Sequence, residues 1–381
     1  MNIVILFTRG MSLEKWLDSG MFFREKLIYE EYLRRNLFSK VYWITYGTED
    51  KDISKKLYLA GDLSNNIVVC QMPRIFRLPK IGSYLYSIFL VFVQRNVFKN
   101  CQIIKSNQFD GCWGGVLAQY IYGCKNIVRT GFSLTSFLSL ENRSNIRIFF
   151  FNIIERFVYR RSKKNIVSSI KDKDDLIEKL NIDPASIEVV FNFVDTNSFF
   201  PVLKKDKFFD RILYVGRLSS QKNLFNLIKT ISELDIGLDI YGTGPNFEEL
   251  REYASLLKAD VNFFGVVRND VLTDIYNQYE YFILPSFFEG MPKTLIEALA
   301  SGCVCIATNV TGNNEVIIDG YNGYLANGCD SDSIKIAILR SMNNNNKFIK
   351  TNAIKTINLN FSLTSYVDKE ERVFKSIMKF S

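Results

Sequence analysis

The nine residues RILYVGRLS, at 211–219, decide the fold. An apolar run of β-forming residues closes on Gly216-Arg217, and an amphipathic stretch follows from about Leu224. A continuous apolar run, in place of strict alternation, marks a strand buried on both faces of a parallel sheet. The pattern is repeated at the N-terminus as NIVILFTRG, residues 2–10, again ending in Arg and Gly. Outward from that first run the sequence predicts a helix over Phe23–Asn36 and a strand over Lys40–Tyr46. Alternation continues through Asn126–Arg129, with Ile166–Ser169 as the last strand of this half and a helix over Lys171–Leu180. Outward from the second run come strands at Leu238–Tyr241, Val261–Phe264, Tyr281–Pro285 and Val304–Thr308, with helices from Asn246 and Lys293. Strands alternating with helices of about a dozen residues predict two doubly wound α/β sheets.

A chain of 381 residues is long enough for two cores. Periodicity lapses over Asn192–Lys207, which reads as the linker. The expected division is therefore 1–195 and 196–361, with the final segment 362–381, a helix over about Leu363–Lys379, returning to the first domain. Hydrophobic residues at 47% and charged residues at 23% exclude a disordered chain.

The chain has no histidine. That removes Ser-His-Asp and Cys-His catalysis, histidine-ligated zinc and a histidine general base. Chemistry must rest on carboxylates, Lys, Arg, Tyr, Cys or backbone amides. Seven cysteines with no CxxC pair, two of them (Cys303 and Cys305) alternating in an apolar run, favour buried thiols in a reducing compartment. MNIVILFTRG has no basic leader region, and Ile81–Val93, the most apolar stretch, is shorter than the ~20 residues of a membrane-spanning helix. A cytoplasmic protein is expected.

The formal charge of +8 is local. Residues 1–200 carry 28 Lys and Arg against 19 Asp and Glu, and residues 71–170 hold 15 against 3 (Asp110, Glu141 and Glu155). Arg74, Arg77, Lys80, Arg95 and Lys99 flank Ile81–Val93, and Arg156, Arg160, Arg161, Lys163 and Lys164 cluster later. A solvated basic face is the plainer reading, with Ile81–Val93 as a buried core helix. Contact with an anionic membrane is preferred here, because cations bracket an apolar run. No nucleic-acid-binding motif is present, and no nucleic-acid partner is expected.

Four strand-end features in the second half fall in order: GRLSSQKN at 216–223, YGTGP at 241–245, VNFFGVV at 261–267 and PSFFEGMPKTLIEALASG at 285–302. Loops at the carboxyl ends of parallel strands share one crevice. Arg217 and Lys222 supply two cations for a diphosphate without a metal. Backbone N–H groups of Met291, Lys293 and Thr294 lie at a helix N-terminus that favours an anion. Glu289 and Glu297 can accept hydrogen bonds from sugar and ribose hydroxyls. Such a set describes a sugar-nucleotide site. The Asp330-Ser331-Asp332 triplet precedes a helical run and reads as a cap, so no metal is expected. Asn142-Arg-Ser144, Asn309-Val-Thr311 and Asn360-Phe-Ser362 match the glycan-acceptor triplet by chance in a chain without a leader.

These strings, with FNFVD at 191–195 and NEVIIDGYNGYL at 314–325, resemble the donor-binding domain of glycosyltransferase family 4, retaining enzymes of the GT-B fold. The resemblance covers Asn192–Leu325, about a third of the chain. It implies two Rossmann-like domains across a cleft, the first for the acceptor and the second for the nucleotide sugar. It implies that Arg217 and Lys222 hold the diphosphate, Glu289 the transferred sugar and Glu297 the ribose, with Gly265 and Val266 against the base. Gly216, Gly242 and Gly290 line the same loops, and Gly10 would approach the donor phosphate from the first domain. The start of the chain resembles a bacterial surface-polysaccharide branch of the family. Many members carry a histidine facing the sugar; here the segment reads NIVRTGFS, and Arg129 or Thr130 stands in that place. The expected activity is metal-independent, retaining hexosyl transfer from a UDP- or GDP-sugar to a surface glycan or its lipid carrier, at the inner face of the membrane, with no cofactor beyond the co-substrate. A catalytically silent scaffold and a GT-B sugar-nucleotide epimerase are the alternatives.

Overall fold

The computed structural model describes residues 1–79, 81–131, 145–202 and 207–378, without the side chains of 145–150, 269 and 270. Lys80, Glu141, Asn142–Ser144 and Lys379, named above, lie outside the described residues. The chain divides into two compact units, Met1–Val190 with Val367–Ser381, and Phe191–Tyr366.

The first unit is built on seven parallel strands: β1 (Asn2–Leu6), β2 (Lys40–Ile44), β3 (Ile67–Cys70), β4 (Ile103–Ser106), β5 (Lys125–Thr130), β6 (Lys164–Val167) and β7 (Ile187–Val189). Their order is β3-β2-β1-β4-β5-β6-β7. Helices connect them: α1 (Leu13–Asp18), α2 (Met21–Arg34), α3 (Asp50–Ala60), α4 (Gly82–Val93), α5 (Arg95–Lys99), α6 (Trp113–Tyr122), α7 (Asn145–Arg161) and α8 (Ile170–Leu180). The central strand β1 is buried after its first residue, as its unbroken apolar sequence requires. α8 shows local coding of a helix. Ser169 accepts the Asp172 N–H at 3.0 Å and donates its hydroxyl to the Asp172 carboxylate, a reciprocal cap, and Asn181 ends the helix in the left-handed region at φ 51°.

The second unit has six parallel strands: β8 (Phe208–Val215), β9 (Gly237–Tyr241), β10 (Val261–Gly265), β11 (Tyr279–Leu284), β12 (Val304–Thr308) and β13 (Tyr324–Ala326). Their order is β10-β9-β8-β11-β12-β13. Its helices are α9 (Leu224–Ser232), α10 (Phe247–Leu256), α11 (Asn269–Tyr276), α12 (Lys293–Ala300), α13 (Asn313–Val316), α14 (Ser331–Met342) and α15 (Lys347–Asn360). β11 and β12 are buried along their whole length, which explains their continuous apolar sequences. Asp330 caps α14 through the Ser333 N–H at 2.9 Å, so the acidic triplet is a helix start.

The last helix, α16 (Leu363–Met378), supplies core to the first unit. Phe374 packs edge-on against Tyr32 and Phe38, at 5.5 and 5.3 Å between ring centres. Glu370 and Lys105, both fully buried, form an ion pair, and the Tyr32 hydroxyl donates to the same carboxylate.

Three expectations change. Ile166–Ser169 is not the last strand of its sheet: the strand is Lys164–Val167, and the three-residue β7 adds a further one. The expected linker is packed structure where described. The Val194 N–H donates to the Phe361 carbonyl at 2.8 Å, and Phe199 is buried beside Tyr276. Apolar residues at 191, 193, 194 and 199 drive this; the missing periodicity meant irregular backbone, not exposure. Finally, Ile81–Val93 is neither wholly core nor wholly surface: α4 buries Tyr86, Leu90 and Val91 and exposes Ile88, Phe89 and Phe92.

Candidate functional site

In the second sheet the chain winds outward one way through β8, β9 and β10, then the other way through β11, β12 and β13. The reversal leaves a crevice at the carboxyl ends of β8 and β11, where open α/β sheets bind ligands. Gly216-Arg217 follows β8 and Pro285–Glu289 follows β11, so two of the four sequence features meet there.

Backbone hydrogen bonds sew the loops into a floor. Gly216 N–H donates to the Tyr241 carbonyl (3.0 Å), Leu218 N–H to Thr243 (2.9 Å), and Gly242 N–H to Gly265 (2.7 Å). Gly242 must be glycine: its φ is 145°, and a Cβ would sit 1.9 Å from the Gly216 carbonyl oxygen. On the other side, Phe287 N–H donates to the Gln221 carbonyl (2.9 Å), and the Gln221 side chain donates to the Phe288 carbonyl (2.8 Å). The loop after β8 is thereby pinned to the loop after β11.

Across that seam stands an ion pair. Lys222 Nζ meets Glu289 Oε1 at 2.5 Å, and the Ser286 hydroxyl donates to the same oxygen at 2.5 Å. Both partners are largely buried. Arg217 is exposed, and among the described residues its guanidinium makes no ion pair. Its carbonyl accepts the Tyr214 hydroxyl at 3.1 Å, fixing the turn that presents it. Burial first, and the Glu289 carboxylate second, push the Tyr214 hydroxyl far above its ordinary value, so it remains a donor.

Helix α12 starts at Lys293, with Pro292 as an N-cap that offers no side-chain hydrogen bond. Lys293 and Thr294 occupy its first turn, partly exposed, whereas the Met291 side chain is buried in the core. Glu297 sits one turn further, 8% exposed, and accepts the Tyr276 hydroxyl at 3.2 Å. Burial, then the Glu297 charge, raise Tyr276 far above the usual phenol value, so its proton stays on the side facing the carboxylate. Val266 is 71% exposed, beyond edge strand β10. Burial pushes the Cys303 thiol up to about 12, which leaves it no role as a nucleophile.

Three residues of this site escape a reading of motifs. Ser286 lies inside the quoted string, three residues before the carboxylate it orients; that spacing was the available cue. Gly312, after β12, has φ 87°, and a Cβ there would lie 2.0 Å from the Gly290 carbonyl oxygen. Its backbone therefore braces Glu289-Gly290. Tyr276 carries no sequence mark, since an aromatic on an amphipathic helix reads only as core.

The remaining expected residues belong to the first unit. Gly10 follows β1 at φ 77°, and its carbonyl accepts Lys15 Nζ at 2.8 Å. Arg129 and Thr130 end β5. Thr130 is buried in the sheet, and Arg129, half-buried, donates to the Asn107 carbonyl at 3.3 Å. This unit's own reversal, between β1 and β4, is closed by a pair the sequence did not suggest. The Arg9 guanidinium grips Asp110 through two bonds of 2.8 and 2.7 Å and lies 3.6 Å from the centre of the Tyr84 ring. Burial raises the Asp110 carboxyl above its ordinary value, with Arg9 opposing.

Two Rossmann-like units of this kind, with loop cations and carboxylates gathered at the second sheet's reversal, define the GT-B class. Residues 195–356 match the family Glycosyl transferases group 1, and residues 33–198 match Glycosyltransferase Family 4. Together these matches span most of the chain, which carries these two glycosyltransferase-family domains. The chain is 30% identical over 248 residues to the UDP-Gal:alpha-D-GlcNAc-diphosphoundecaprenol alpha-1,3-galactosyltransferase of Escherichia coli, a match covering 59% of this chain and 62% of that protein. A glycosyltransferase structure from Rickettsia africae superposes with a TM-score of 0.75 at 21% identity, over 100% of this chain and 99% of the other. Anabaena Alr3699/HepE in complex with UDP gives 0.75 at 16% identity, over 99% and 100%. At these identities the structural likeness concerns the fold.

Proposed function

We propose that the protein is a retaining, metal-independent hexosyltransferase that moves a sugar from a UDP- or GDP-sugar to a lipid-linked glycan acceptor at the inner face of a membrane, in surface-polysaccharide synthesis. The observation that carries this reading is the Lys222–Glu289 pair at the sheet reversal, with exposed Arg217 beside it. A lysine held on one carboxylate oxygen, on a flexible stem, can turn to a phosphate when one arrives. Arg217 adds a planar fork suited to phosphate oxygens. Released from Lys222, Glu289 keeps the Ser286 hydroxyl and can accept from hydroxyls of the transferred sugar. In this reading Glu297 accepts from the ribose.

In the reaction proposed, the bond between the anomeric carbon and the diphosphate oxygen breaks as the acceptor oxygen bonds to the same face. The acceptor proton passes to the departing phosphate, whose growing charge Arg217, Lys222 and the α12 N-terminus stabilise. No histidine is needed. The galactosyltransferase relative and the UDP-bound fold relative support a UDP-sugar donor and a diphospholipid acceptor.

The test is a thermal-shift panel of UDP- and GDP-sugars followed by transfer assays on a short-chain lipid diphosphate sugar. A matching donor raises the melting temperature by mass action. Binding without transfer to any acceptor would favour the silent scaffold, and acceptor-independent conversion of the sugar would make the protein an epimerase. A glycosyl adduct trapped on Glu289 would overturn the single-displacement step.

A further inference from the structure

The basic excess of residues 71–170 acquires a definite place once the helices of the first unit are set side by side. Right-handed crossovers carry α4, α6 and α7 onto one face of the seven-stranded sheet. α4 packs on α6, and α6 on α7. The outer side of α4 presents Ile88, Phe89, Phe92 and Val93, each 38–55% exposed. Leu117, Tyr120 and Ile121 of α6 extend that surface, and Ile153 and Phe157 of α7 complete it. Nine large apolar side chains left in water on three adjoining helices exceed the scattered exposure of an ordinary surface.

The border of this patch is cationic. Arg95, Lys99, Arg156, Arg160, Arg161 and Lys163 are exposed around it. Arg161 donates to the Tyr120 hydroxyl at 2.9 Å and lies 5.8 Å from the Phe157 ring, joining α6 to α7 at the water boundary. Three cations expected in the set are otherwise engaged: Arg74 and Arg77 face Glu49 at 3.0 and 3.9 Å, and Lys164 is tied to Glu188 at 3.1 Å. Glu155, the sole carboxylate in the sequences of α4, α6 and α7, is turned inward and fully buried.

We propose that this face docks the protein on an anionic lipid bilayer. The aromatic and aliphatic side chains enter the boundary between headgroups and acyl chains, and the surrounding cations meet acidic headgroups. A second copy of the chain is a poorer occupant, because a two-fold interface would set like cations against each other. A nucleic acid would leave the apolar side chains in water. The inference is independent of the donor site and stands whatever reaction that site performs. No described helix is long and apolar enough to cross a membrane, so docking is lateral.

Vesicle flotation of the full chain, without sugar nucleotide, tests it. The wild type floats with phosphatidylglycerol-containing vesicles at low salt, and binding falls about tenfold or more at high salt or with phosphatidylcholine alone. Arg156→Glu with Arg160→Glu lowers binding by about tenfold on the anionic vesicles. Phe89→Asp with Phe92→Asp abolishes flotation, with the melting temperature and transfer to a soluble acceptor analogue unchanged. Wild-type protein that stays unbound at low salt, or a Phe89/Phe92 variant that floats like wild type, overturns the proposal. So does a dimeric wild type that the same variant makes monomeric, which would assign the face to a second copy.

Discussion

Both sheets place a cation–carboxylate pair at the same topological point, and the two pairs are built differently. In the first unit Arg9, after β1, meets Asp110, after β4, through two side-chain bonds, a backbone bond of 2.9 Å and a covering tyrosine ring. In the second, Lys222, after β8, meets Glu289, after β11, through one short contact shared with a serine hydroxyl. A planar fork with both oxygens occupied is a closed joint. A point charge on a four-carbon stem can be redirected. The same fold feature is thus a closed fastening in one unit and a redirectable contact in the other.

The sharpest way to break this contrast is Lys222→Ala. Loss of a preformed cation at developing phosphate charge should lower kcat/KM by about 10²–10³, or roughly 3–4 kcal/mol. A loss under tenfold in steady-state transfer would make the two pairs equivalent fastenings. Arg9→Ala should show the converse. Leaving Asp110 part-buried without its partner costs about 2 kcal/mol of stability, read as a lower urea midpoint, while the donor dissociation constant stays within about twofold. Glu297→Gln should be milder, raising the donor dissociation constant by about tenfold, near 1.4 kcal/mol, in calorimetry while turnover at saturation is kept.

The smallest effect concerns pH. Asp110 has a raised pKa in the folded unit, so the folded chain binds its proton more readily than the unfolded chain. Its stabilising contribution is full below the ordinary carboxylate value and is lost as pH rises through the raised one. Asp110→Asn removes that titration. The melting temperature of the wild type minus that of the variant should therefore decline from about pH 4 upward. A flat difference would mean that Arg9 fully offsets the burial.

What the sequence made legible follows from its range. Buried parallel strands announce themselves within single windows, and β1, β8, β11 and β12 fall where continuous apolar runs stand. The order of strand-end loops brings Gly216, Lys222, Gly242 and Glu289 into one argument, because topology assembles them. Pairs such as Arg9 with Asp110, 101 positions apart, leave no local trace. The same holds for Tyr276 of α11 with Glu297 of α12, joined through a side-chain hydrogen bond. β7 is too short, at three residues, to carry a period.

The buried Lys105–Glu370 pair has a consequence for synthesis. Lys105 is made well before Glu370, with the whole of the second unit's sequence between them. Until then the first unit carries a buried cation without that carboxylate, a state proteins tolerate poorly. The second unit, closing at Tyr366, has its whole sequence in hand sooner. Although domains usually fold from the N-terminus onward, here the unit begun first is the later of the two to have its sequence complete. The nascent chain cannot have a completed first unit before the second has been made in full.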